Sequence, residues 1–570
     1  MLRRCCFQSL VVAASTALVV GCGSTSPRPS ASQAEALAAA RQRELAEEHA
    51  AVKAAEAHAH YAVGVIHEMN DQGQAALAEY TQAALDDPGN ESLVLEVSGR
   101  LLQHRQTEKS LEVVSRSAAR PNASGDIYAR LGLIYSQLGK ADQAMNANRA
   151  AIAKSPDSLA GYQNLFLNFM QRKQPEEAAK VLDEAAARPA PEAEFLIGIA
   201  EFYLTLGVGV PAQKEAFHGK ALALLARANK LNPSSSQLRL KLADAFNLLG
   251  STTNAARLYL ELLKKLPDAA TVRERVRANL TDIYLRGSNT NQAVEQLEAI
   301  VRDDPTNPQA YYLLGRLALE ANKPAEAADH FSKMLVLSPD FEPAYYFLAM
   351  AQIDSNKPAE ALLTLEKARK KFALSFILEF WTAMALTREK EYAEAIKHYT
   401  AAEVVAQATD PKQLDQRFYF QVGATCERKG DYAQAEAHFE KCLKLAPDFT
   451  EAMNYLGYMW AEHGTNLVKA RELIEKAVKA DPKNPAYLDS LAWVLFKLNQ
   501  PKDALPYALK SAELTEEPDA TIYDHIGDIY AALKQMDKAR EAWHKAFSLE
   551  PKEEVRKKLE EPKAPGTPDR

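Results

Sequence analysis

The residues with chemistry to offer are a trio of histidines, five cysteines, and a row of aromatics and methionines recurring at a fixed spacing. His58, His60 and His67 are close in sequence, but no two stand at i,i+4, so no helix face holds a ligand pair. The chain lacks His-Glu-x-x-His, Cys-x-x-Cys and Gly-x-x-x-x-Gly-Lys-Ser/Thr, the spacings that bind zinc or cradle phosphate. Gly207-Val208-Gly209 is followed by no phosphate-loop pattern and suits a loop between helices. The carboxylates are spread along helical stretches, as solvated faces require. No catalytic set, metal site or cofactor is expected, and the chain does not read as an enzyme. Cys5 and Cys6 lie in the N-terminal segment, and Cys22 ends an apolar run. Only Cys426 and Cys442 remain inside the fold, where they read as small buried apolar side chains rather than a disulfide framework. The net charge of -7 argues against a nucleic-acid surface.

Met1-Leu2-Arg3-Arg4 is a short basic start, and Leu10 to Val20 is an apolar run too short to cross a bilayer as a helix. The run closes in Val19-Val20-Gly21-Cys22, which resembles the bacterial lipobox. That resemblance implies that residues 1–21 are a signal peptide and that the Cys22 thiol carries acyl chains such as palmitate. Two or three chains anchor a protein stably where one does not. Residues 22–56 then hold the acylated cysteine, a flexible Gly/Ser/Pro tether and an Ala/Glu/Lys/Arg-rich helical lead-in. The expected location is the bacterial envelope, lipid-anchored and facing the periplasm, with the outer membrane the better guess because no aspartate follows Cys22.

The rest of the chain repeats itself. Residues 125–156, 308–339 and 520–551 each carry a small residue at the eighth place, Ala at the twentieth and Pro at the thirty-second. Place eight reads Gly64, Ser98, Gly132, Ala200, Gly315, Ala349, Gly423 and Gly527, among others, with Phe166 as the bulky exception. Place twenty is Ala in thirteen of fourteen repeats, Ser110 being the other. Small residues there let two helices approach closely. Larger side chains at place twenty-four, such as Tyr80, Phe331, Tyr399 and Trp543, are expected to fill the space toward the next repeat. Pro88, Pro156, Pro305, Pro339 and Pro551 stop the second helix.

This pattern resembles the tetratricopeptide repeat, a 34-residue helix-turn-helix, over roughly residues 57–551. The resemblance implies an all-α, right-handed superhelical solenoid of about fourteen antiparallel helix pairs. N-terminal repeats span 57–267 and C-terminal repeats 268–551, with a charged tail at 552–570. An insertion near 207–217 is expected as a long loop, Pro506 as a kink within a helix, and the run through Ala406 as an extended helix.

In this repeat family places two, five, nine, twelve and thirteen of the first helix face the groove. Place five carries Tyr312, Tyr346, Phe380 and Phe420; place nine Met350, Met384, Tyr458 and Trp493; place twelve Phe496. Early repeats are blander there, with Ala129, Leu133, Gln163 and Leu167. Residues 308–500 are therefore the expected groove for proteins or peptides, with no small-molecule substrate. The expected function is an envelope-anchored adaptor that assists assembly of pilus, exopolysaccharide-export or cell-wall machinery. A self-assembling structural lipoprotein is the competing reading, against which the charged C-terminus argues.

Overall fold

The computed structural model describes residues 31–265 and 270–560. Cys22, the expected signal peptide, the start of the expected tether, Pro267 and the end of the tail lie outside the described residues. Among these there is no strand; helices follow one another in antiparallel pairs, fourteen in all, with a short helix Glu553–Glu560 after the last. The chain forms two compact units that divide after Lys265, so six pairs lie in the first unit and eight in the second.

One pair shows why the sequence folds this way. Asn307 caps helix Pro308–Glu320 by accepting from the Ala310 N–H at 2.9 Å, satisfying a donor that the first turn leaves orphaned. The helix ends at Glu320, and two residues on, Asn322, with a φ of +56°, turns the chain left-handed. Lys323 N–H then donates to the Ala318 carbonyl at 2.8 Å, closing the end as an αL stop does. Pro324 opens the second helix at a first-turn position, where its missing N–H costs nothing. That helix stops at Leu337, two residues before Pro339.

The pair closes on its small residues. A Cβ added to Gly315 would stand 2.8 Å from the Phe331 ring, and one on Gly527 would stand 2.3 Å from Trp543. The bulky place twenty-four side chain thus sits on the small place eight of its own repeat and also reaches the next one, as Phe331 does by stacking on Phe347 at 5.5 Å. Ala383 and Tyr399 meet in the same core cluster with a methyl in place of the glycine. The place twenty alanines are buried throughout. The second repeat replaces this contact with a polar one, Ser98 Oγ to Ser110 Oγ at 2.8 Å.

Three elements depart from the repeat. The insertion near 207–217 is not a loop: helix Ala193–Gly209 runs on by a turn, one 3-10 turn follows at Pro211–Gln213, and helix Lys214–Lys230 begins at once. Extra residues between two established helices are absorbed as helix where each added residue gains a backbone hydrogen bond. Helix Pro501–Leu514 continues through Pro506. Helix Tyr392–Thr409 is extended past Ala406 to eighteen residues, as expected.

Candidate functional site

The groove row lies in the second unit and divides into two groups. The first runs from Tyr312 to Phe420. Tyr312 is half buried, edge-on to Phe341 at 5.3 Å and to Phe347 at 5.8 Å between centroids. Tyr346 is only 8% exposed, and its hydroxyl donates to Glu342 at 2.6 Å. Burial, aided by that carboxylate, pushes its pKa up to about 12. Phe380 stacks on Phe376 at 5.7 Å. Met384 accepts the Tyr399 hydroxyl at 3.1 Å, so it is tied into the repeat core. Phe420 packs against Phe449 and Tyr455. Tyr346, Met350 and Phe380 converge with Pro343, Phe347, Phe376, Ile377 and Trp381 on a notch of about 380 Å³. Its lining carries no charged side chain, and Ile377 is exposed at its rim.

The second group is Tyr458, Trp493 and Phe496. Trp493 is 6% exposed. It lies between Phe496 at 5.1 Å and the His525 ring at 3.9 Å, and its indole N–H donates to Glu462 at 2.7 Å. Tyr346 and Trp493 are therefore not free rings offered to a partner, as a groove row implies. Each is a wall whose edge a ligand would meet. The neighbouring Tyr311, Tyr345 and Tyr419 do not supply the core contacts by themselves. Place five rings enter the core too, because consecutive helices lie close enough for both to reach it.

Sequence reasoning missed the polar part of the groove. Place five continues past Phe420 as Asn454, Asp489 and Asp524; following that one position through the last three repeats would have exposed the change. The carboxylates assigned to solvated faces are not all there. Asp489 is 7% exposed and His525 4%, and the His525 Nδ1–H donates to both Asp489 oxygens at 3.0 Å. Glu379 is buried beside Arg369 and His398, which hold its carboxyl below the usual range against the opposing effect of burial. Lys558 of the terminal helix donates to Asp524 at 2.8 Å and to Asp528 at 2.7 Å. That helix also buries Val555, so the charged C-terminal run is packed on the last repeat rather than merely solvated.

Cys426 and Cys442 are free and buried, and burial raises both thiols to about 11. Among the described residues no group of His, Cys, Asp and Glu is arranged to hold a metal. No described helix is long and apolar enough to cross a membrane.

Models of the tetratricopeptide repeat match residues 125–157, 214–270, 280–340, 318–377, 378–448, 427–485 and 520–553, over half of the chain. The chain belongs to the tetratricopeptide-repeat family. A TPR repeat-containing protein of Pseudomonas aeruginosa is 29% identical over 229 residues, covering 38% of this chain and 36% of that protein. The human protein O-mannosyl-transferase TMTC3 is 24% identical over 365 residues, covering 61% of this chain and 39% of that protein. The chain thus spans less than half the length of these curated relatives. The crystal structure of the APC/C hetero-tetramer Cut9-Hcn1 shares 14% identity over 81% of this chain and 94% of that one, at a TM-score of 0.38. A tetratricopeptide-repeat solenoid is in general a non-catalytic scaffold that holds other proteins on its surface.

Proposed function

We propose that this protein is an envelope-anchored adaptor that holds an apolar segment of a partner protein in the groove of residues 308–500, helping to assemble an envelope complex. The anchor is Cys22, behind the Val19-Val20-Gly21 stretch. The observation that carries the groove reading is the uncharged notch around Tyr346, Met350 and Phe380. A concave apolar site with an exposed rim is where a partner's anchor side chain gains most from leaving water. The rings around it are already fixed by packing, so little freedom is lost when a partner docks.

The test uses the full chain in intact cells, with a photocrosslinking residue replacing Met350. A discrete crosslinked product is expected in the envelope fraction. Ile377→Asp places a charge at the exposed rim and should change folding stability by only about 0.5 kcal/mol. It should remove the product while the melting curve is retained. A product of undiminished yield from the Ile377→Asp chain would rule the notch out as the capture site.

A further inference from the structure

Beyond Phe420 the groove changes character. A second pocket of about 420 Å³ is lined by first helices of four consecutive repeats: Gln416–Lys429, Thr450–Glu462, Pro485–Lys497 and Ala520–Ala532. Its charged lining residues are Glu427, Asp489 and Asp519, and no lysine, arginine or histidine lines it. Two of the three carboxylates are committed within the fold. Asp489 accepts from His525, and Asp519 caps its helix by accepting from Thr521 N–H at 2.7 Å and Ile522 N–H at 3.2 Å. Glu427 is half buried and accepts no hydrogen bond among the described residues; burial pushes its carboxyl above the ordinary range.

The second observation is independent of these charges. Asn454 is 9% exposed, lines the same pocket, and its buried Oδ1 has no hydrogen-bond partner. An orphaned buried acceptor is costly unless something donates to it. The chain therefore offers one orphaned buried acceptor, Asn454 Oδ1, and in the same lining the half-buried Glu427 carboxylate, which no described protein group hydrogen-bonds, with Tyr455, Tyr458, Met459 and Ile522 as the apolar walls. What fits is a cation with several N–H donors in one plane, on an apolar stem that can lie along aromatic rings.

We infer that this pocket takes an arginine side chain of the partner segment held in the groove. The guanidinium serves two acceptors at once and stacks on tyrosine, whereas a lysine ammonium is a strongly hydrated point charge. This deepens the adaptor reading and rests on it: the apolar notch would seat one part of an extended segment and the acidic pocket an arginine further along.

The test is direct binding to the purified full chain by fluorescence anisotropy. The probes are labelled nine-residue Gly/Ser peptides whose central residue is arginine, its neutral isostere citrulline, or lysine. A second set carries a central phenylalanine. Arginine should bind roughly tenfold or more tightly than citrulline, as one charge-assisted contact implies. Lysine should fall between them. Glu427→Gln and Asn454→Leu should each erase most of the arginine-over-citrulline preference while helical content is kept. Equal binding of arginine and citrulline, or an unchanged preference in both variants, would overturn the inference. The phenylalanine set separates the two ideas: its capture with no arginine preference leaves the notch and removes the pocket, and the reverse removes the notch alone.

Discussion

At the scale of single residues, the buried pair Asp489–His525 sets a pH dependence. Burial works against a charged imidazole, but the Asp489 carboxylate, hydrogen-bonded to Nδ1, outweighs it and raises the His525 pKa; Glu462 and Asp524 act in the same direction. Trp493 covers one face of the ring. A histidine whose folded pKa is raised contributes stability that is full below its unfolded pKa, about 6.5. That contribution is lost as pH rises through the folded value. The last two repeats are therefore expected to lose protection from amide exchange as pH is raised from about 6, once the chemical exchange rate is corrected for. Asp489→Ala leaves a buried imidazole without its counter-ion and should cost ~3–5 kcal/mol, flattening the pH dependence of residues 485–532. If the slope survives in Asp489→Ala, another group supplies it.

At the scale of elements, the repeat was legible because its contacts are short-range and recur. Glycine or alanine at place eight and alanine at place twenty suit the close approach of a helix pair, so the same letters return in most of the fourteen repeats, with Ser98, Phe166, Thr281 and Ser110 as the departures. Helix ends were legible from proline, whereas caps such as Asn307 emerged only from the structure. The insertion at 207–217 was misread because glycine and proline signal a loop, whereas only the tertiary frame shows that both flanking helices can lengthen. The polar half of the groove escaped for a different reason. Asn454, Glu427 and Asp489 are ordinary helix-surface residues in sequence, and only the stacking of four repeats turns their faces toward one pocket. The assigned register has a sharp test at Ala361, which is fully buried in helix Pro358–Lys371 and clusters with Ala349 of helix Glu342–Asp354. Ala361→Arg should cost ~1–3 kcal/mol from overpacking, with more from the buried charge. Amide exchange should rise over residues 342–372 first, since stability in a solenoid is close to a nearest-neighbour sum. Exchange unchanged in that segment would mean the register is wrong.

At the scale of the whole molecule, the helical lead-in and the first repeat are not separate pieces. A single helix, Ala31–Met69, carries the lead-in directly into the first pair. From Ala38 to Val52 its side chains are exposed, Leu45 and Val52 among them. Packing within the first unit begins near Lys53, which pairs with Asp86 at 3.3 Å, and Ala57, which is buried. A helix of this kind from residue 31 to 56 is a spacer of about 39 Å at 1.5 Å per residue. Its alternation of alanine with charged residues suits water better than a membrane surface, since no face gathers the apolar side chains that interfacial helices need. Under the proposed anchoring at Cys22, the lipid would tie the chain to the bilayer, and a helix of that length would set the repeats off from it. Cys22→Ser should release the chain from the membrane fraction into the soluble envelope fraction. A high-salt wash should leave the native protein behind, because acyl chains hold by burial rather than by charge. Retention of the serine variant after that wash would place the membrane tie elsewhere in the chain and remove the spacer's role.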